Sequence, residues 1–370
     1  MNDTATGSHT DADQAAAMPS VEQKAARPRI EFVDVAKGIA MLSIVAGHVG
    51  FVNPTAMDVL SRIVFPYHVP VFFIIAGYFL TDHQPIREFT KSKARRLLVP
   101  YILTCLFITT VVAFLSTVRG TANPPTAYAT VWDSMKASLY GSGTIVPDGF
   151  QAIGAIWFLE ALFVALLEMR LLLGHEIVTP AIVLTLGVGS TLAAQYHGIW
   201  LPFNIQAGFF GGVFVYAGHL MKRARLLERP WRTSTVIAII AVLACVYAWA
   251  ACNHILTYVV VAYPGEHWWG IPTSICASCL VLSFSWLTTT YAPRLKQALI
   301  FWGRNSLALL CVHMACLDCG LSSVLAWLGV PLVDPVFFFV DVTVQLALSC
   351  IFIRALAALR AKRNYRRADA

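Results

Sequence analysis

Charge is scarce in this chain. Only 13% of its 370 residues are Asp, Glu, Lys or Arg, while 58% are hydrophobic. A soluble domain carries roughly 25% charged and 45–50% apolar residues, so there is too little charge here to cover the apolar surface in water. Mean hydropathy is +0.67, and lipid is the solvent that suits such a chain. Further absences narrow the classes. Residues 1–29 are polar and hold no apolar h-region, so they read as a disordered cytoplasmic tail and not as a signal peptide. No glycine-rich phosphate loop occurs. The basic residues behind the net charge of +7 come as short clusters between apolar runs, which argues against nucleic-acid binding. A disulfide framework is not expected either, because almost all of the nine cysteines fall inside apolar runs. The two C-x-x-C pairs, Cys276/Cys279 and Cys316/Cys319, read as small apolar residues on helices, and no metal is expected.

What is present is a series of apolar runs of spanning length: 34–54, 63–80, 97–118, 152–172, 177–196, 203–221, 234–252, 269–290, 298–319 and 333–354. A span needs about 20 residues. A short extra helix fits in 320–332. With residue 1 placed inside, all but Arg62, Arg119 and Lys136 of the 27 lysines and arginines fall on the cytoplasmic side, as the positive-inside rule requires. The expected fold is therefore all-α: a polytopic integral membrane protein of about ten transmembrane helices, multi-pass in the cell membrane, with both termini cytoplasmic. The expected organisation is a tail over 1–29, a transmembrane domain over 30–358 and a basic cytoplasmic tail over 359–370. The longest outer loop, 119–151, holds Asn123-Pro124-Pro125 and is too small for a separate domain. No internal repeat is evident.

Ionisable groups inside spans are costly and mark function. The first span holds Asp34, Lys37 and His48. Eleven residues separate Lys37 from His48. At about 100° per residue that is within about 20° of whole turns, and about 16 Å along the axis, so the two side chains share a face. Asp34 lies one turn before Lys37 and can pair with it. The second span opens with Phe65-Pro66-Tyr67-His68-Val69-Pro70. Two prolines four apart do not both fit an undistorted helix, so an irregular backbone is expected there, tolerated where it is buried or lines a cavity. Lys93, Arg95 and Arg96 close a basic cluster that runs into Leu97-Leu98-Val99-Pro100-Tyr101. It serves topology, or clamps the phosphates of an anionic cytosolic ligand. Further on come Trp157-Phe158-Leu159-Glu160, His219, Gly303-Arg304-Asn305-Ser306-Leu307 leading to His313, and the intramembrane Asp318 and Asp341. Each has a structural reading beside the functional one: a snorkelling helix end, a kink, or a histidine bonded between helices.

Taken together, Asp34-x-x-Lys37-Gly38-Ile39 with His48, then Tyr67-His68-Val69-Pro70-Val71-Phe72-Phe73 with Ala76-Gly77-Tyr78, then the Lys93-to-Tyr101 motif, resemble the membrane-bound acyltransferase-3 family. The likeness is to its fucose-acetylase-like and intercellular-adhesin branch. Trp157-Phe158-Leu159 and Gly303-to-Leu307 with His313 are similar to later family motifs. Lys37 stands where many members carry arginine, Val69 replaces a methionine, and Leu310 a tyrosine. The resemblance implies transfer of an acyl group, usually acetyl, from cytosolic acyl-CoA to a hydroxyl of a sugar, cell-envelope glycan or natural product. It implies His48 as general base or proton shuttle, His68 orienting it or donating to the oxyanion, and Lys37 with Asp34 completing the catalytic set. Lys93, Arg95 and Arg96 would meet the CoA phosphates, and Trp157, Glu160, Asn305 and His313 the acceptor. A histidine suits the base role because its unperturbed pKa is near 6.5. Two rival readings remain: a transporter or flippase for a glycan or lipid intermediate, and a non-catalytic membrane scaffold or sensor.

Overall fold

The computed structural model of the chain describes residues 29–49, 54–119, 126–331 and 335–368. The amino-terminal tail, Asn123-Pro124-Pro125 and the side chains of Arg119, Arg363, Arg366 and Arg367 lie outside them. The helices are α1 (Glu31–Val49), α2 (Pro54–Val64), α3 (Pro70–Tyr78), α4 (Ile86–Arg119), α5 (Val131–Tyr140), α6 (Trp157–Leu172) and α7 (Thr179–Tyr196). They continue with α8 (Ile205–Arg223), α9 (Thr233–Cys252), α10 (Gly270–Tyr291), α11 (Pro293–Arg304), α12 (Ser306–Asp318), α13 (Leu321–Trp327) and α14 (Val336–Ala368). Among the described residues there is no strand, only an isolated bridge between Tyr258 and Tyr263. The all-α expectation holds, and this is a membrane protein.

Among the described residues, five helices are long and apolar enough to cross a membrane: α1, α4, α9, α10 and α14. A sixth crossing arises if α11 and α12, bent by 70° at Asn305, form one broken span. The other apolar runs are also helical, but they fall short in length or apolarity. The run 63–80 is not a single helix. It divides into α2 and α3 around a hydrogen-bonded turn over 65–69, and α3 starts on Pro70 at its first turn. This is where the two prolines had made an irregular backbone expected, and proline at a helix start costs nothing because its missing N–H would be unpaired anyway. The bend at Asn305 has a local cause. The Asn305 side chain donates to the Phe301 carbonyl at 2.8 Å and competes with the backbone there. The stretch 320–332 holds the short α13, and α14 continues through the basic stretch to Ala368.

Two helix crossings are so close that only glycine fits. A Cβ on Gly77 of α3 would overlap the carbonyl of Val215, and one on Gly218 of α8 would overlap that of Ile74. Likewise Gly38 of α1 abuts the Leu299 carbonyl, and Gly303 of α11 abuts that of Asp34. Each crossing is reciprocal, as small residues at membrane helix interfaces allow. Helix α8 also packs on α6 and α7, and α1 on α10 and α12. Phe73, Phe210, Phe214, Leu309 and Met314 fill the core around them. The crossings thereby set where the end of α1 meets the turn at 65–69. Gly77→Ala or Gly303→Ala is expected to cost about 1–3 kcal/mol by overpacking, read as a lower melting temperature in detergent. An unchanged melting temperature would contradict the close backbone approach.

Candidate active site: a cavity walled by histidines

The last turn of α1 carries His48, and the turn between α2 and α3 carries His68. Gly47 lets the two segments meet, since a Cβ there would press on the Phe65 ring. A hydrogen bond of 2.8 Å between Ser43 and the Tyr67 hydroxyl ties the turn to α1. The result is a cavity of about 170 Å³ lined by His48, His68, Trp157, Phe158, Thr257 and Leu310, among others. The ring centroids of His48 and His68 lie 6.3 Å apart. The ring of His313 of α12 also lies against His48, with centroids 5.6 Å apart. His48 is exposed along the cavity wall, whereas His68 and His313 are buried.

Hydrogen bonds decide the protonation pattern of the first two rings. A carbonyl oxygen can only accept, so a ring nitrogen facing one must carry the hydrogen. His48 donates from Nδ1 to the Ile44 carbonyl at 2.8 Å. His68 donates from Nδ1 to the carbonyls of Val64 and Phe65, each at 3.2 Å. In a neutral imidazole this leaves Nε2 of both rings as a lone-pair acceptor. His48 thus keeps one ring nitrogen free to accept a proton. Neutral His68 has no Nε2 hydrogen to donate, which argues against an oxyanion-donor role. Thr257 also lines the wall, but its hydroxyl oxygen is shut off from the cavity and lies against Gly270. Thr257 is 2% exposed, and its hydroxyl has no hydrogen-bond partner among the described residues. Thr257 sits in the connection after α9, and nothing in its local sequence singles it out; only its placement does.

The other expected site residues lie elsewhere. Asp34 pairs with Lys37 at 2.7 Å and with Arg304 at 3.2 Å, forming an ion cluster where α1 meets α11. Lys296 and Glu31 add a further pair nearby at 3.0 Å. Asn305 sits at the adjoining bend. On α4, Lys93 covers the Phe89 ring, with its nitrogen 5.2 Å from the centroid, while Arg95 and Arg96 are exposed. Glu160 turns away from the cavity and accepts from Asn204 Nδ2 at 2.9 Å, against Gly141. The structure therefore brings together His48, His68, His313 and Trp157. It leaves Asp34, Lys37, Lys93, Arg95, Arg96, Glu160 and Asn305 outside the cavity wall. Among the described residues no group of His, Cys, Asp and Glu is placed to hold a metal ion.

A family model described as an acyltransferase domain matches residues 30–354. No curated protein and no solved structure matches the chain. Nitrogen NMR on histidine-labelled protein should find the proton of neutral His48 and His68 on Nδ1. A proton on Nε2 of either ring would contradict the hydrogen-bond pattern.

Proposed function

Because the chain belongs to this acyltransferase-3 family, we propose that it moves an acyl group, in the simplest case acetyl, from cytosolic acyl-CoA to a hydroxyl of a sugar, cell-envelope glycan or natural product. The observation that carries this reading is the cavity in which Nε2 of His48 is left as a base beside an apolar wall. An alcohol is a poor nucleophile until its proton is taken, and a positioned base contributes about 10²–10⁴ in rate. His48 takes the hydroxyl proton as the oxygen attacks the thioester carbonyl. Collapse breaks the acyl–sulfur bond, and the proton passes to the departing thiolate. His68 accepts at Nε2 from a second donor group of the acceptor molecule, such as a neighbouring hydroxyl, and so helps to orient it. Trp157 gives the acceptor an apolar face.

The donor is an anion with several phosphates. Lys93, Arg95, Arg96 and Lys37 are read as its contacts, since they lie in the segments that charge asymmetry places at the cytoplasmic edge. The same asymmetry supports ten crossings of the cell membrane with both termini inside, the shorter helices α2, α3, α6, α7 and α8 packing among the longer ones. The cavity of about 170 Å³ has room for a thioester carbonyl and a hydroxyl.

The test uses protein in native membranes with radiolabelled acetyl-CoA, following label into hydroxyl-bearing material. His48→Ala is expected to abolish transfer while the protein still inserts and melts cooperatively; substantial remaining activity overturns the assignment. For Arg96→Ala the apparent affinity for acetyl-CoA should fall with the maximal rate largely kept. An unchanged affinity would leave the cluster with a topological role alone.

A further inference from the structure

Helix α14 carries Asp341, Gln345 and Ser349 at helical spacing, all at or below 1% exposure. Buried polar groups in an apolar helix are costly unless hydrogen-bonded. Two of the three form a chain that ends beside the cavity. Gln345 Nε2 donates to Asp341 Oδ1 at 2.7 Å, and Ser322 of α13 donates to Asp341 Oδ2 at 3.2 Å. With its amide nitrogen turned to the carboxylate, Gln345 presents its carbonyl oxygen to α12, where His313 donates from Nδ1 at 2.5 Å. The bonding order therefore places the His313 hydrogen on Nδ1. Its Nε2 is fully buried and has no hydrogen-bond partner among the described residues, and its ring stands nearly perpendicular to that of His48, with centroids 5.6 Å apart. Most buried side-chain nitrogens in folded proteins have a hydrogen-bond partner. Here one nitrogen is anchored through two residues, and the other is left as a bare acceptor next to the proposed base.

Resting on the acyl-transfer reading above, we infer that Gln345 and Asp341 are positioning residues that hold His313 as a second proton acceptor behind His48. The hydroxyl proton moves to His48 Nε2 as the acyl–oxygen bond forms. From there it is shared with His313 Nε2. When the acyl–sulfur bond breaks, it returns by the same route to the thiolate of CoA, and both rings end neutral. Gln345 sets the tautomer and direction of His313. Asp341 sets which way round the Gln345 amide sits. Ser322 and α13 brace the carboxylate. Neither Gln345 nor Asp341 touches substrate.

The test measures transfer from radiolabelled acetyl-CoA in native membranes, with melting temperatures recorded for every variant. Gln345→Met has the same length and no acceptor. It should lower the maximal rate by about tenfold or more and leave the apparent affinity for acetyl-CoA unchanged. Gln345→Glu, as a neutral acid, can still accept from His313 and donate to Asp341, so it should retain clearly more rate than Gln345→Met. Adding Gln345→Met to His313→Ala should cost nothing further, because Gln345 acts only through His313. A wild-type rate in Gln345→Met, no advantage for Gln345→Glu, or losses that multiply in the double variant would each overturn the inference. If Gln345→Met does not fold, Gln345→Asn, which is too short to reach His313, repeats the test with the same two outcomes. Loss of activity in His48→Ala alongside multiplying losses would sink the relay alone, whereas an active His48→Ala would sink the base assignment itself.

Discussion

A helix broken inside a membrane leaves carbonyl oxygens that water does not reach, and each needs a donor. Between α2 and α3 the break falls at residues 65–69, and His68 supplies one ring N–H to the carbonyls of both Val64 and Phe65. In the last turn of α1, His48 donates likewise to the Ile44 carbonyl. The Val64 carbonyl also accepts from the backbone N–H of His68 at 3.1 Å, so the ring bonds supplement the backbone ladder, and they choose the tautomer. With Nδ1 committed to carbonyls, Nε2 of each ring is left facing the cavity as an acceptor. The same side chains thus bond to the backbone through one ring nitrogen and keep the other free.

The glycine crossings make that arrangement possible. Gly77 and Gly218 bring α3 against α8, Gly38 and Gly303 bring α1 against α11, and Gly47 lets Phe65 lie on the end of α1. A methyl group at any of these contacts would push the two packed segments apart. The charged groups follow a different logic. Asp34 gathers Lys37 and Arg304 into an ion cluster at the α1–α11 crossing, so charge there serves the joint between two helices. Arg95 and Arg96 on α4 remain exposed to a ligand arriving from outside the helix bundle.

Composition alone, through the shortage of charge and the length of the apolar runs, determined that the chain is an all-helical membrane protein. Apolar patterning placed a helix at each of the ten runs, because burial and backbone pairing are local demands that residue order encodes. Pro66 and Pro70 marked the break correctly, since proline acts on its own turn. His48 and His68 were legible as site residues for the same reason: a polar ring in an apolar run stands out wherever it occurs. The Asp341/Gln345/Ser349 stripe was visible at i, i+4 and i+8 as well, but its meaning depended on a partner 32 residues earlier in the chain.

Tertiary structure decided the rest. It separated Glu160, Asn305 and the Asp34–Lys37 pair from the cavity, although their residue types had suggested a shared site, because which helix faces meet is set by packing between distant segments. It put Thr257, a threonine in a connecting segment with no local signature, in the cavity wall. It divided the run 63–80 into two short helices and bent 298–319 at Asn305, which hydropathy averaged over a window does not resolve. The tautomers were beyond any sequence reading, since they depend on which carbonyl lies within about 3 Å of a given ring nitrogen, a distance that exists only once the helices have packed.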